Sequence, residues 1–267
     1  MRIRCVILLA SLALVTAACS DANESSSQQG GAKAATETTT TMHDMDNMEP
    51  AIDVAKPLPL LQDGTLDPDG VDLSGIEGVT PEQQAFAEEV LVRSIETLPR
   101  WADYDETVAA GFKSIGDGPA TGEEHVIMYE WVNDDAILDP NKPESLVYKY
   151  ETLPDGTPKR TLEAAMFILP DSYTLETAPT DGGALMQYHN HQNLCYTAGE
   201  TPRVAGITNA DGNCAEGLVL GAGNIQIHVW IRANDCGPFA ALKGIGAGQV
   251  KQGDDVTCLS EHGSAGH

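Results

Sequence analysis

Histidines that fall in or beside predicted strands are the residues best suited to chemistry in this chain. The segment LMQYHNHQNLC, residues 185–195, carries His189 and His191, and the later run NIQIHVWI carries His228. Side chains two positions apart on a strand share a face, roughly 6–7 Å apart at the backbone. Two such imidazoles and a third from a neighbouring strand can hold one zinc or copper ion. We therefore predict a metal site at these three histidines, with His125 as a neighbour or fourth ligand.

An enzyme built on such a site would also need a carboxylate base beside a metal-bound water. Glu163 is the one charged residue in an apolar predicted strand, and Glu124 directly precedes His125. These two glutamates are the candidate catalytic residues, and each is also a candidate further ligand. The alternative is that the histidines are hydrogen-bonded residues of the core or surface that stabilise the fold and bind no metal.

Three functions are compatible with these residues. The first is an anchored protein that captures or buffers zinc or copper outside the membrane. The second is a metal-assisted enzyme, and the third is an envelope binding or structural domain without a metal. The chain contains no serine nucleophile elbow, P-loop or dinucleotide fingerprint, which argues against those enzyme classes. The sequence leaves open whether the protein is an enzyme.

The chain ahead of the strands carries helix signals. Thr80 can cap a helix, Pro81 suits its first position, and Gln83 completes a capping box. Apolar residues then recur at helical spacing as far as Leu98. A second short helix is predicted over residues 105–110, before a glycine that favours a helix end. The globular chain is therefore predicted to begin with helices.

Strands dominate the rest of the globular chain. A turn signal, PDGTPK, predicts a hairpin between two of them. The predicted strands cover residues 125–132, 146–151, 161–169, 185–192, 217–220 and 224–231. In the last strand the alternate Ile and Val residues predict a core-facing side, so His228 should face the opposite wall. Short helices followed by strands predict an α+β fold with a mainly antiparallel sheet or open barrel.

Residues 1–18 have the features of an export signal. A positively charged start precedes a short apolar run, which the sequence TAAC closes at Cys19. TAAC resembles a bacterial lipobox, whose cysteine becomes the first mature residue and carries the lipid. The prediction is a lipoprotein, acylated on Cys19 with palmitate-type chains and anchored at the outer face of the cytoplasmic membrane. The alternative is ordinary cleavage after Ala18 without lipid.

Composition divides the mature chain into a linker, a domain and a tail. Residues 19–75 contain two polar runs of low complexity, residues 25–29 and 36–41, and the whole segment is predicted to be a disordered, lipid-anchored linker. Met42 and His43 lie in a stretch of this linker whose residue types suit copper, although a disordered acidic patch is the favoured interpretation. Residues 76–260 are predicted to form a single globular domain, and residues 261–267 a tail.

The chain is strongly acidic, with a formal net charge of −25. Removing the two arginines of the signal, which contains no acid, brings the mature chain to near −27. This charge argues against binding to nucleic acid and against electrostatic adhesion to anionic lipid. The predicted partners are therefore the membrane, through the lipid on Cys19, and a metal ion, and no protein partner is indicated.

Four cysteines remain after the signal and the lipid anchor are set aside. They are Cys195, Cys214, Cys236 and Cys258. An even number in an exported domain predicts two disulfides, for which three pairings are possible. Pairing in chain order, first with second and third with fourth, is favoured because each bond then closes a short, glycine-containing excursion.

Several motifs between about residues 100 and 240 resemble those of a family of exported, lipid-anchored bacterial proteins of unknown function. In chain order they are WADYDETVAAGFKSIGDG, EHVIMYEWVND, LDPNKPESLVYKY, LEAAMFIL and IHVWIRANDCGPFAAL. Members of that family carry a helical AxxxGY segment, an HYVN strand, LDPxxPExLVY and a terminal HVW. Here Gly111 and Phe112 stand for Gly-Tyr, and HVIMYEWVN replaces the shorter strand. The resemblance marks His125 and His228 as matching the family's histidines and implies no activity.

Overall fold

Helices lead into two separate antiparallel sheets in the computed structural model, which describes residues 57–186, 188–234 and 236–241. The helices are α1 (Pro81–Thr97), α2 (Tyr104–Ala109) and α3 (Gly118–Thr121). The strands are β1 (Lys113–Ser114), β2 (Glu123–Ile127), β3 (Ser145–Thr152), β4 (Pro158–Ile168), β5 (Leu194–Thr197), β6 (Val204–Ile207), β7 (Leu218–Leu220) and β8 (Gln226–Trp230). The first sheet has the order β1-β2-β3-β4-β8 and the second the order β6-β5-β7. The predicted α+β class is confirmed, with two open sheets among the described residues.

Helix α1 begins where the capping residues predict it. The Gln83 N–H donates to Oγ1 of Thr80 over 3.2 Å, and the Thr80 N–H donates to Oε1 of Gln83 over 3.0 Å. This reciprocal pair satisfies two N–H groups that the helix itself leaves without partners. The buried side of α1, which includes Val90, Leu91 and Ile95, packs in the main apolar core. Helix α2 also lies within one residue of its predicted position.

The PDGTPK turn joins β3 and β4 in the predicted hairpin. The two strands pair from Thr152 opposite Pro158 to Ser145 opposite Met166. Strand β8 then adds to the other edge of β4, where Met166 lies opposite His228. Strand β4 therefore lies between the hairpin partner and the strand that carries His228, and it sets the position of that histidine across the sheet.

The prediction of a strand over residues 185–192 is wrong. A 3₁₀ turn spans Gly183–Leu185, and the described residues that follow make one isolated bridge to the first sheet, between His189 and Gln226. The chain pairs at a single position because it then crosses to the second sheet, where Leu194–Thr197 form β5.

The strand predicted over residues 125–132 is shorter than expected. It ends at Ile127, after which the Trp131 N–H donates to the Met128 carbonyl over 3.0 Å. Asn133 then adopts a left-handed backbone with φ of 70°. This turn takes the chain away from the sheet, so the later residues of the predicted strand do not pair in it.

Both faces of the first sheet are buried. Ile227 and Val229 pack in the main core, on the side predicted for them. On the opposite face Trp230 lies in a second apolar cluster with Met166. His228, on that same face, is 1% exposed. The histidine side of β8 therefore faces a second layer of protein and not solvent.

The described fold includes residues ahead of position 76. Leu66 and Leu73, in the segment that composition assigns to the linker, are 3% and 1% exposed and lie in the main core. The Leu66 N–H donates to the Ile231 carbonyl over 2.8 Å. Residues 57–75 thus cover the end of β8, because Leu66 and Leu73 are buried in the core and Leu58 and Val71 pack against it.

Several predicted features lie outside the described residues. These are the signal peptide, Cys19, the stretch with Met42 and His43, and the tail over residues 261–267. Among the helices that the structure describes, none is long and apolar enough to cross a membrane.

One of the two predicted disulfides is present. Cys195 and Cys214 are bonded, with 5.7 Å between their Cα atoms and a sequence separation of 19. The loop that this bond closes contains β6. Cys236 is also in a disulfide, and its predicted partner Cys258 lies outside the described residues. The Cys195–Cys214 bond therefore ties β5 to the loop between β6 and β7.

Glu144 is a buried acid immediately before β3, and it is 2% exposed. Its Oε2 accepts the N–H of Ile168 over 3.1 Å. Burial, with smaller contributions from Asp134 and Asp139, raises the pKa of Glu144 to about 8. The folded protein therefore favours the protonated form of this carboxyl far more than the unfolded chain does.

Replacing Glu144 with glutamine is expected to flatten the pH dependence of stability between pH 4.5, the ordinary pKa of this carboxyl, and about pH 8. Relative to the variant, the wild-type protein is most stable below pH 4.5, the ordinary pKa of this carboxyl. It loses that advantage as pH rises towards about 8, the pKa of the carboxyl in the folded protein. Each unit between the folded and unfolded pKa corresponds to about 1.4 kcal/mol. Urea unfolding across this range measures the effect. Glu130→Gln, at an exposed position, is the control, and a Glu144→Gln difference that is constant with pH would contradict the expectation.

Candidate functional site

One row of residues crosses the first sheet from β2 to β8 and brings His125 towards His228. His125 pairs with Val147, Val147 with Ala164, and Ala164 with Trp230, so their side chains share one face. His228, two residues from Trp230, lies on that face as well. The small Ala164 side chain leaves space above the middle of the sheet, and the two imidazoles lean across it from opposite sides.

All four predicted histidines lie together on this face, and we call them the histidine cluster. Nε2 of His125 is 3.2 Å from Nε2 of His228. The ring of His189 stacks on that of His228, with 5.3 Å between centroids and 12° between planes. The ring of His191 meets that of His189 edge to face, with 5.4 Å between centroids. His189 and His228 are therefore on the same side of the sheet, which the predicted site requires.

The histidine cluster is shielded from water. His125, His189 and His228 are buried, and His191 is partly buried. Burial, and to a smaller extent the nearby His125, lowers the pKa of His191 to about 4. His191 is therefore a neutral imidazole at neutral pH, which is the form that binds metal ions.

Asp117, which the sequence analysis does not single out, positions His125. Its Oδ1 accepts the backbone N–H of His125 over 3.0 Å, and its Oδ2 lies 2.6 Å from Nδ1 of the ring. A carboxylate here keeps the proton on Nδ1, so Nε2 of the neutral ring carries the lone pair that faces His228. In the sequence this contact is indicated only by an acid in the glycine-flanked run GDG. The contact itself forms because the fold brings Asp117 back to His125.

Gln226 holds His189 at the edge of β8. The backbones of the two residues exchange N–H donors and carbonyl acceptors over 2.9 and 2.8 Å. The Gln226 side-chain nitrogen also lies 3.3 Å from Nε2 of His189 and donates to it. His189 is thus fixed to the first sheet through both its backbone and its ring.

The pair of His125 and His228 has the spacing of two ligands of one ion. In a tetrahedral site with zinc–nitrogen bonds of about 2.0–2.1 Å, ligand nitrogens lie about 3.3–3.4 Å apart, and the observed distance is 3.2 Å. The ring of His189 is nearly parallel to that of His228, so the nitrogens of the two rings do not converge on one point. Among the described residues no group of three or more His, Cys, Asp or Glu side chains is placed to hold an ion. A third ligand therefore requires a histidine ring to turn.

Glu124, one of the two candidate bases, lies on the other face of β2 from His125, because neighbouring side chains on a strand alternate. Its Oε1 accepts hydroxyl donors from Tyr104 and Ser114 over 2.9 and 2.5 Å. Its Oε2 accepts Nε of Arg160 over 2.5 Å. The carboxylate is thus the centre of a separate network and does not reach the histidine cluster.

Glu163, the other candidate base, lies at the bulge between β3 and β4. Burial raises its pKa, and the charged groups that act on it include Lys149, Glu123 and Arg232. The carboxylate that contacts the histidine cluster is Asp117, whereas the prediction was Glu163 or Glu124.

A cavity of about 870 Å³ lies between the two sheets, beside the histidine cluster. Asp117, His125, His191 and Gln226 line its polar end. Its apolar walls include Ile115, Ile127, Met166, Ile168, Leu194, Tyr196, Val204, Val219 and Leu220. The sequence gives no local sign of this cavity, because it arises from the way the second sheet lies over the first.

The chain matches no protein-family model, no curated protein and no solved structure. The family resemblance suggested by its motifs therefore stays a prediction. What the protein does has to be inferred from the chemistry of the histidine cluster and the cavity.

Proposed function

We propose that this is an exported, lipid-anchored protein that binds a zinc or copper ion at the histidine cluster. The observation that supports this most is the pair of His125 and His228, whose Nε2 atoms are 3.2 Å apart. Two imidazole nitrogens at this distance either share one proton or bind one ion. Asp117 favours metal binding, because a carboxylate on Nδ1 raises the basicity of the ligand ring and fixes its orientation.

His189 and His191 supply the further ligands in this proposal. Each has a ring centroid within 5.4 Å of another ring of the cluster, so they are the nearest further imidazoles, and His189 would exchange its contact with Gln226 for the ion. His191 also lines the cavity. A water on the cavity side can complete the coordination, which leaves one position of the ion exchangeable.

Export is supported by the Cys195–Cys214 disulfide, because such bonds persist in oxidising compartments. A lipid on Cys19 would then hold the acidic chain at the outer face of the cytoplasmic membrane. Capture or buffering of an ion outside the membrane is the corresponding role.

Calorimetric titration of the EDTA-treated, detergent-purified protein with Zn²⁺ and with Cu²⁺ tests the proposal. One ion per chain is expected, with binding lost as pH falls below about 6, because the ligand imidazoles become protonated. His228→Ala should remove the site. Asp117→Asn should weaken binding by about 10–100-fold, the usual effect of losing a ligand's hydrogen-bond partner.

His43→Ala is the matched control, since it removes a histidine of the linker and leaves the cluster intact. Its affinity should equal that of the wild type, which separates the cluster from the Met- and His-containing stretch. Absence of binding by the wild type, or wild-type affinity in a folded His228→Ala variant, would overturn the proposal. Circular dichroism checks that each variant is folded.

A further inference from the structure

We propose that the cavity between the two sheets binds a small, uncharged, mainly apolar molecule that carries a hydroxyl or similar hydrogen-bonding group. This binding goes beyond the metal site and does not depend on it. The cavity volume of about 870 Å³ falls in the range of about 300–1,000 Å³ found for small-molecule sites. Such sites are mostly apolar, with a few polar groups that orient the ligand.

Two apolar walls enclose the cavity. The floor is the histidine-bearing face of the first sheet and includes Ile127, Met166 and Ile168. The roof is the second sheet and includes Leu194 and Val204. Apolar side chains that face a space of this size lack packing partners on one side, and a bound apolar molecule would supply them. The favourable free energy of binding therefore comes from burying these walls.

The roof is fixed in place without a ligand. The Val204 N–H donates to the Ile115 carbonyl over 2.8 Å, which joins β6 to the residue that follows β1 of the first sheet. The disulfide between Cys195 and Cys214 ties the loop that contains β6 to β5. A cavity formed in advance spares the ligand the cost of ordering its own site.

The mouth of the cavity is also apolar. Ile207, Val219 and Leu220 line it and are 42%, 54% and 48% exposed. Grouped apolar side chains at a surface mark sites that bind another molecule. They provide an entry path for an apolar molecule from solvent.

The polar end selects against charged molecules. Asp117 is the only Asp, Glu, Lys or Arg among the described residues that line the cavity, and it is already bonded to His125. An anion would thus find no lysine or arginine among the described lining residues and would approach a chain of net charge −25. His191 and Gln226 instead present uncharged polar groups at this end. A hydroxyl, which can donate and accept, fits such a lining.

Fluorescence titration with N-phenyl-1-naphthylamine, a neutral apolar probe, tests the proposal on the full mature protein in EDTA buffer. The probe is expected to bind at one saturable site per chain. 1-Naphthol should displace it at least about tenfold more strongly than 1-naphthoate, since burying an unpaired carboxylate is costly. Equal displacement by the two competitors would overturn the proposed ligand class.

Val204→Trp is expected to lower probe affinity about tenfold, because the larger indole takes up part of the apolar space beneath the roof and obstructs the probe there. Leu153→Trp, at the exposed turn between β3 and β4, adds the same side chain elsewhere and should bind the probe like the wild type. If circular dichroism shows that Val204→Trp is misfolded, Leu220→Trp at the mouth replaces it. Wild-type affinity in the folded cavity variant would overturn the site. Because no metal is present, these results are independent of the metal titration.

Discussion

Glu124→Ala should lower the free energy of unfolding by about 3–5 kcal/mol, the usual cost of removing one partner of a buried ion pair. Glu124 is 3% exposed, and its carboxylate accepts Arg160 and Tyr104. In the variant the Arg160 guanidinium stays 4.1 Å from the Tyr104 ring centroid without a counter-charge. Because the Arg160 side chain is 21% exposed, the loss should fall near the lower end of the range. Equilibrium unfolding in urea measures it.

Tyr104→Phe is the matched control, because it removes one hydrogen bond to the same carboxylate and leaves the ion pair. It should cost about 0.5–1.5 kcal/mol, or up to about 3 because the acceptor is charged. Zinc affinity should equal that of the wild type in both variants, since Glu124 lies across β2 from His125. A folded Glu124→Ala protein that loses zinc binding would show instead that this glutamate acts in the metal site.

Replacing Cys195 and Cys214 together with serine is expected to cost about 3 kcal/mol of unfolding free energy, as for other loops of similar length. The bond spans a sequence separation of 19, and Cys195 is fully buried in the second sheet. The unfolded chain gains the freedom that the bond removes, and the loop between β6 and β7 loses its covalent tie to β5. Urea unfolding of the double variant measures the loss.

Thiol counting supplies the control for this pair. In denatured, unreduced wild-type protein none of the four late cysteines should react with a thiol reagent. The same count therefore also tests the predicted second disulfide, between Cys236 and Cys258. The double variant should likewise show no thiol from Cys236 or Cys258. Unchanged stability in the double variant, or two reactive thiols in the wild type, would contradict the expectation.

Features that depend on neighbouring residues could be predicted from the sequence. Thr80 and Gln83 cap α1 because the capping box needs only a few consecutive residues. The β3–β4 hairpin follows from the turn residues between the strands. The face of His228 follows from strict alternation with Ile227 and Val229. Each of these depends on a pattern that spans less than one element.

Features that depend on distant contacts could not be predicted in the same way. Residues 185–192 alternate like a strand, yet only His189 pairs with the first sheet, because the chain continues into the second. Asp117 binds His125 across a turn and a helix, and no spacing rule indicates such a contact. Glu124 carries the residue type expected of a base, but its partners Tyr104 and Arg160 come from α2 and β4, and no local pattern indicates that network.

The segment 189–193 belongs to both halves of the site. Its backbone pairs with Gln226 at the edge of β8, and the residues that follow enter β5. The same few residues therefore carry two rings of the histidine cluster and one end of the roof. If both proposals hold, a molecule under the roof and an ion at the rings would act on the same few residues. Thermodynamic linkage makes this effect reciprocal: the factor by which one ligand changes the affinity of the other is the same in both directions.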